Sequence, residues 1–313
     1  VKLSICIATD NEKESLERLL DSLYSELTDG CEIVICDNGS TDQSELVART
    51  FIKKAPRTLY YKSPEKKSHH NHLIETLELA KGQYCWLLQP GDLLMSGALK
   101  KVLAHLDQNP ELAGLSVRAA QEEGSPWPFL SPESDQSYRD PKRCLGDLFF
   151  YFNWPSAHIA LKKPWLEALK LRLRKISKEQ LLSFSLAQVI LEKPRWDFLS
   201  TPLIHLRPGS DSLPEFEKTA LGCADTVGTL LGTKNPLYFG VLNRMCEGPL
   251  SAGLKALRDR REPLAEQAFQ KIFKKYWAVP AFWSHQLPGL VADHRWTQKA
   301  FSLYHRMTSK EEQ

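Results

Sequence analysis

The sequence predicts an α/β fold with a mostly parallel central sheet, followed by a helical extension. Three observations carry this reading. Short, nearly continuous apolar runs alternate with helical apolar periods through the first hundred residues, each run ends on a polar cluster, and beyond residue 210 no strand of convincing length returns. Leu3-Ser4-Ile5-Cys6-Ile7-Ala8 stops at Thr9-Asp10-Asn11, as a strand buried on both faces does. Leu16, Leu19, Leu20, Leu23 and Leu27 then follow a helical period. Glu32 to Cys36 predicts a second strand, followed by the turn Asp37-Asn38-Gly39-Ser40-Thr41-Asp42 and a helix from Ser44 towards Lys53. Thr58 to Tyr61 predicts a third strand, Leu73, Leu77 and Ala80 a further helix, and Gln83 to Leu88 a fourth strand. Strands separated by helices need crossover connections, so the sheet is parallel and ligands are expected at the strands' carboxyl ends, where the polar clusters lie.

Downstream, Ser96 to Gln108 predicts a helix and Leu112 to Val117 a strand, whereas Gln121 to Arg143 is broken by Gly and Pro and reads as a long irregular loop. Ala157 to Leu161 resumes a strand, Trp165 to Arg174 and Lys178 to Leu191 read as helices, and Trp196 to Leu206 as extended chain interrupted at Pro202. The turn Arg207-Pro208-Gly209-Ser210 marks the expected boundary between an α/β domain, 1–210, and a helical domain, 211–313.

Composition removes several classes. With 41 Lys+Arg against 38 Asp+Glu, the net charge of +3 is not that of a surface devoted to nucleic acid. The seven cysteines show no C-x-x-C pair, and three lie in strand-like runs, so they read as core thiols of a reducing compartment rather than metal ligands. No apolar stretch is long enough to span a bilayer and the first residues read as a strand rather than a leader, which predicts a cytosolic protein. G-x-G-x-x-G, G-x-x-x-x-G-K-[ST] and G-x-S-x-G are all missing, so the ligand has to be held by side chains. The three clusters at strand ends, Thr9-Asp10-Asn11, Asp37 to Asp42, and Gln89-Pro90-Gly91-Asp92, are the candidates, and they are expected to converge on one crevice.

Those clusters carry a family resemblance. Leu3 to Glu12, Glu32 to Asp42 and Ala80 to Leu88, in this order and spacing, resemble the nucleotide-sugar-binding half of a family 2 glycosyltransferase of the GT-A fold. Trp86-Leu87-Leu88 and Asp92 to Leu99 are similar to the abequosyltransferase-like branch, which builds bacterial surface polysaccharides. The resemblance implies a nucleoside-diphosphate sugar as donor, a glycan or lipid-linked glycan as acceptor, and inversion at the transferred sugar. It assigns Asp37 to the nucleotide base, a role that suits a carboxylate accepting an N–H. It also places Thr9, Asp10, Asn11, Asn38, Lys67, Asn71, Gln89, Gly91 and Asp92 around the donor. Ser40, Thr41 and Asp42 read as a helix cap in preference to ligand contacts.

The chain departs from the family in two places. Where the family has a D-x-D pair holding Mn²⁺ or Mg²⁺, Gln89 and Gly91 stand here, and Asp92 alone remains as a metal ligand. In the loop expected at Lys66-Lys67-Ser68-His69-His70-Asn71-His72, Lys66, Lys67 or His69 is then the alternative source of positive charge for the leaving diphosphate, beside the reading of a solvated basic loop. In the acidic pair that the family places before the last strand, Glu179 matches as catalytic base, but the second acid is Gln180; His158 and Asp197 are reserves. These substitutions leave a second function open, a catalytically impaired domain that binds a nucleotide sugar or a partner.

From Lys255 to Gln313 the chain carries eleven Lys+Arg against six Asp+Glu, interleaved with aromatics such as Phe269, Phe273, Tyr276, Trp277, Trp296 and Tyr304. A basic face could rest on the cytoplasmic surface of the inner membrane. The aromatics' helical spacing predicts instead the core of a small helical domain, or a homodimer contact. No nucleic-acid module motif accompanies them.

Overall fold

The structure, a computed structural model, describes residues 1–120, 131–171, 176, 180–206, 213–248, 250–251, 253–255, 263–284 and 302. Two compact units divide it. The first is Val1–Glu122 with Pro132–Pro141 and Phe152–Pro208; the second holds Lys142–Tyr151 and the described residues beyond Pro208.

One nine-stranded sheet occupies the first unit. Its strands are β1 (Leu3–Thr9), β2 (Cys31–Asp37), β3 (Thr58–Lys62), β4 (Tyr84–Leu88), β5 (Leu93–Leu94), β6 (Gly114–Ala120), β7 (Gln136–Tyr138), β8 (His158–Leu161) and β9 (Trp196–His205). The helices are α1 (Lys13–Tyr24), α2 (Ser44–Lys54), α3 (His69–Leu79), α4 (Ala98–Gln108), α5 (Pro141–Leu148, almost wholly in the second unit), α6 (Lys162–Lys170) and α7 (Leu181–Glu192). The order is β3-β2-β1-β4-β8-β6-β9-β5, with β7 also on β9. The strands β3, β2, β1 and β4 run parallel, β8 lies antiparallel between β4 and β6, and β6 and β9 are again parallel.

The central position of β1 follows from its composition. Leu3, Ile5, Cys6 and Ile7 have no exposed surface, and burying each of the larger aliphatic side chains stabilises by about 1.5–3 kcal/mol. At the sheet's amino edge Ser4 Oγ donates to Glu32 (2.6 Å) and accepts from the Gly82 N–H (2.7 Å). Gly82 is required there, because a Cβ would lie 2.6 Å from both the backbone nitrogen and the hydroxyl of Ser4. Pro202 sits where β9 bulges against β6, between Leu199 opposite Val117 and Ile204 opposite Ala119, which suits a residue with no N–H to give.

The Gln89-Pro90-Gly91-Asp92 turn after β4 has a definite geometry. The Asp92 N–H donates to the Gln89 carbonyl (3.1 Å), Pro90 occupies the first central position, and Gly91 has φ +98°, the pattern of a type II turn. The Gly91 N–H is tied to the Ser15 carbonyl of α1 (3.2 Å).

Several elements differ from the expectations. Leu27 falls beyond α1, and α3 begins at His69, so His69, His70, Asn71 and His72 are helical rather than part of a loop; Ser68 Oγ accepts the Asn71 N–H (3.3 Å) and caps the helix. The short strands β5 and β7 go beyond the expectations, since two or three residues carry no readable period, and α5 begins at Pro141, a favoured first helical position, inside the stretch read as loop. Thus part of the Gln121 to Arg143 stretch is ordered against β9. Residues 121–130, 172–175 and 177–179 lie outside the described residues. All seven cysteines are buried and free, as expected of core thiols, and burial pushes the Cys36 thiol up to about 11.

The second unit is helical in its described part: α8 (Leu213–Leu231), α9 (Pro236–Glu247) and α10 (Pro263–Tyr276). Asn235 caps α9 by accepting the Leu237 N–H (2.9 Å), and Arg244 of α9 grips Asp147 of α5 through two hydrogen bonds of 2.8 and 2.6 Å. Phe269, Phe273, Tyr276 and Phe282 are buried, with the Tyr276 hydroxyl donating to the Ala220 carbonyl (2.7 Å), so these aromatics build a core. Lys271 and Lys275 pair with Glu217 and Asp225 of α8. Trp296, Phe301 and Tyr304 lie outside the described residues. No described helix is long and apolar enough to cross a membrane.

Two glycine replacements test this account by urea denaturation. Gly82→Ala is expected to lose about 1–3 kcal/mol by overpacking against Ser4, and Gly91→Ala about 1 kcal/mol through its positive φ. Wild-type stability in the Gly82 variant contradicts the packing at the sheet's amino edge.

Candidate functional site

The polar clusters at the carboxyl ends of β1 and β2 meet because the strands are in register. Thr9 is paired with Asp37, and the Asn38 N–H donates to the Thr9 carbonyl (2.9 Å). Asp37 has no exposed surface. One carboxylate oxygen accepts the Ser40 N–H (2.7 Å), the other the Tyr60 hydroxyl of β3 (2.7 Å), while its carbonyl accepts the Ser63 N–H (2.8 Å). Burial, and then the Asp37 carboxylate, push the Tyr60 phenol up, which keeps it a donor. Asn11, at φ +57°, donates its N–H to Ser40 Oγ (2.8 Å) and accepts the Thr41 N–H (2.9 Å). Asp42 accepts from the backbone of Lys13 at the start of α1 (2.9 Å) and of Ser44 at the start of α2 (3.2 Å), so it serves as a cap for two helices.

A second layer is stitched on by Asn38. Its side-chain amide donates to Asp10 (3.1 Å) and to the Lys67 carbonyl (3.0 Å), and its side-chain oxygen accepts the Lys67 N–H (2.8 Å), fixing the segment before α3 over the strand ends. Lys66 pairs with Asp10 (3.0 Å) and Lys67 with Glu75 (2.5 Å), which also accepts from Ser63 (2.5 Å). Desolvation opposes ionisation of Asp10, but hydrogen bonds from Lys66, Asn38 and Asn11 outweigh it and hold the carboxyl below its usual range. His72 is buried with Nε2 donating to the Cys36 carbonyl (3.0 Å), and burial lowers its pKa, which favours the neutral ring.

These groups border a cavity of about 490 Å³ at the carboxyl ends of β1, β2 and β4. Of the residues singled out in the sequence, Thr9, Asp10, Asn38, Lys66, Lys67, His69 and Gln89 line it. Asn11, Asp37, Asn71, Gly91 and Asp92 are not among its lining residues: Asp37 is sealed within the β2 tip, Asn71 is exposed on α3, and Asp92 is only 1% exposed in its turn. Each of the three strand-end clusters thus sends a residue to the cavity, Thr9 and Asp10 from the first, Asn38 from the second, and Gln89 and Pro90 from the third, whereas Asp37 and Asp92 themselves do not line it. Glu12, His72 and Leu182 also line the cavity. Glu12 follows the first cluster directly and was in reach of the sequence, whereas Leu182 arrives from a helix more than ninety residues beyond β4 and leaves no local signal.

The candidate bases fare differently. Glu179 lies outside the described residues. Gln180, at the start of α7, is buried, donates to Asn153 (2.8 Å), and its side-chain oxygen has no hydrogen-bond partner among the described residues. Asp197 is enclosed on β9 by His105 (2.9 Å) and Arg139 (3.2 Å), and His158 is buried with Nδ1 on Ser116 Oγ (2.8 Å), which accepts from Trp196 (2.8 Å). Both reserves are away from the cavity wall and act in packing.

A second cavity, about 520 Å³, lies at the opposite, amino ends of β2 and β3 beside Asp29, Glu32, Lys54 and Arg57. It is the slightly larger of the two, but the carboxyl-end cavity gathers the strand-end polar groups, and it is there that open α/β sheets bind ligands.

The model of "Glycosyl transferase family 2" matches residues 4–162. Abequosyltransferase RfbV of Salmonella typhimurium is 29% identical over 113 residues, which is 35% of this chain and 34% of that protein. The GalNAc(5)-diNAcBac-PP-undecaprenol beta-1,3-glucosyltransferase of Campylobacter jejuni is 28% identical over 103 residues, 33% of each. The match thus spans about a third of the length of these curated relatives. Among solved structures, S. aureus TarS 1-349 in complex with UDP superposes with a TM-score of 0.60 at 17% identity, covering 100% of this chain and 92% of that one. Mannosyltransferase PcManGT from Pyrobaculum calidifontis, in complex with GDP-Man and Mn²⁺, gives 0.56 at 17% identity, covering 97% and 85%. These two likenesses are of fold. With the family model spanning just over half of the 313 residues, the chain belongs to glycosyl transferase family 2, and its fold is of the GT-A type.

Proposed function

We propose that the protein transfers a sugar, with inversion, from a nucleoside-diphosphate donor to a bacterial surface glycan, of O-antigen, capsule or lipooligosaccharide type. The observation that carries the proposal is the carboxyl-end cavity. Its volume suits a nucleotide sugar, its apolar wall (Leu73, Leu87, Leu88, Leu182) suits a base or sugar face, and its polar groups (Thr9, Asp10, Asn38, Lys66, Gln89) come from successive strand ends. Support comes also from the fold neighbours, which were solved with UDP, UDP-GlcNAc and GDP-Man. The Campylobacter relative acts on an undecaprenol-linked glycan by its name. A lipid-linked acceptor, reached from the cytoplasmic face of the inner membrane, accords with that and with the basic tail.

In the proposed reaction the acceptor hydroxyl oxygen bonds to the anomeric carbon as the bond from that carbon to the β-phosphate oxygen breaks, its electron pair leaving with the diphosphate. The hydroxyl proton passes to a carboxylate, for which Glu179 is the candidate; Gln180 has no basicity to offer. Thr9 and Asn38 hold the nucleoside. Asp37 contributes by fixing the Ser40 backbone and the Tyr60 hydroxyl, and reaches a base only if Tyr60 or the Ser40 amide is displaced.

Chain and family differ over the metal. Mn²⁺ accompanies the donor in PcManGT, but here the D-x-D positions are Gln89 and Gly91, and the remaining Asp92 is buried off the cavity. The described residues contain no group of three or more His, Cys, Asp or Glu side chains that could hold a metal ion. This donor set does not fit a D-x-D metal. The same departures, with Gln180 at the second acidic position, favour one alternative: a domain that binds the nucleotide sugar without turnover.

Thermal denaturation with UDP, GDP, CDP and dTDP is expected to show one of them raising Tm; no shift with any of the four contradicts the donor reading. Thr9 Oγ1 is buried and has no hydrogen-bond partner among the described residues. Thr9→Val is therefore expected to leave the ligand-free Tm unchanged or higher while weakening the nucleotide about tenfold by calorimetry. Asp37→Ala behaves oppositely, losing about 1–3 kcal/mol of stability before any ligand is added, because the Ser40 N–H and the Tyr60 hydroxyl lose their acceptor.

A further inference from the structure

The cavity raises a question of charge that its own residues answer. A diphosphate brings at least two negative charges, while the lining carries Lys66 and Lys67 against Asp10 and Glu12, beside the imidazoles of His69 and of His72, whose burial opposes protonation. Some cation has to meet the diphosphate. The family solution is closed off by the backbone: Gly91 is held at φ +98° in the turn whose Asp92 N–H closes on Gln89, so an acidic side chain at position 91 would be strained, and position 89 offers a neutral amide.

The two lysines are held unequally. Lys67 is one-third exposed and bound to Glu75, whose side chain is 12% exposed and also takes the Ser63 hydroxyl. Its charge is committed to locking the segment before α3. Lys66 is 66% exposed and its partner Asp10 32% exposed, the kind of ion pair that water and salt already weaken. Asp10 keeps the amides of Asn38 (3.1 Å) and Asn11 (2.9 Å) when Lys66 turns away, so releasing the ammonium strands no acceptor. The first turn of α3 brings His69 and His72 to the same wall, so the positive end of that helix adds to the potential there.

Resting on the donor reading above, we propose that Lys66 is the cation for the donor diphosphate: its ammonium moves from Asp10 onto the phosphate oxygens, and the donor binds without a divalent metal ion. Lys66 is thereby a binding residue for the leaving group, and Asp10 is the counter-ion that holds it until the donor binds.

The test is calorimetric titration of the full chain with UDP, GDP, CDP and dTDP and with the corresponding nucleosides, each in EDTA and in MnCl₂. The expected result is a nucleoside diphosphate that binds in EDTA within about threefold of its affinity in Mn²⁺. In Lys66→Gln the diphosphate's advantage over its nucleoside shrinks about ten- to a hundredfold while the nucleoside's own affinity and the ligand-free Tm stay unchanged, and Lys66→Arg recovers most of the advantage. Diphosphate binding that appears only with Mn²⁺, or an advantage untouched by Lys66→Gln, overturns the inference and leaves the donor reading standing. Absence of binding by every nucleotide under both conditions overturns both.

Discussion

The buried carboxylate of Asp37 is the constraint on which the site depends. It receives a backbone amide from its own turn and a hydroxyl from β3, and its carbonyl takes the Ser63 amide, so three chain segments are fixed to the tip of one strand. Asn38, next in sequence, is thereby aimed at Asp10 on one side and at the Lys67 backbone on the other. A charged group without surface is tolerated because both of its oxygens are occupied. It makes Asp37 an organiser of the cavity wall, with Asn38 as the residue that lines it.

That division of labour explains what the sequence could and could not reveal. The runs at Leu3 and Glu32 and the run ending at Leu88 are almost wholly apolar, and only a strand covered on both faces tolerates that, so the parallel half of the sheet was readable without coordinates. The polar residues at their ends were readable for the same reason, as abrupt breaks in the pattern. Which of them face the ligand was not, because facing depends on partners distant in sequence: Tyr60 closes over Asp37, and Asn38 turns towards Lys67. His69 to His72 were misjudged as loop, since a single serine cap outweighs a poorly helical composition. Leu182 and the short strands β5 and β7 owe their places to tertiary packing alone. Asp197, read as a reserve base, is held by His105 and Arg139, neither of them near it in sequence.

The turn after β4 shows a local rule overriding a functional one. Pro90-Gly91 sets a type II geometry that only glycine enters without strain, and by the family resemblance this glycine stands where an acidic metal ligand is expected. Asp92, one residue on, is drawn into the turn's interior. Of the two lysines at this end of the sheet, Lys66 has a counter-ion, Asp10, that is itself part of the wall, so the contact proposed for it with the donor diphosphate needs only the rearrangement of an exposed pair.

The account turns on the carboxyl end of the sheet being the ligand site. Hydrogen–deuterium exchange of the full chain, with and without the nucleoside diphosphate that raises its Tm, addresses this directly. Protection confined to residues 8–12, 38–41, 66–73 and 87–90 is the predicted result. Protection centred on residues 27–33 and 54–58, around the cavity at the amino ends of β2 and β3, contradicts it.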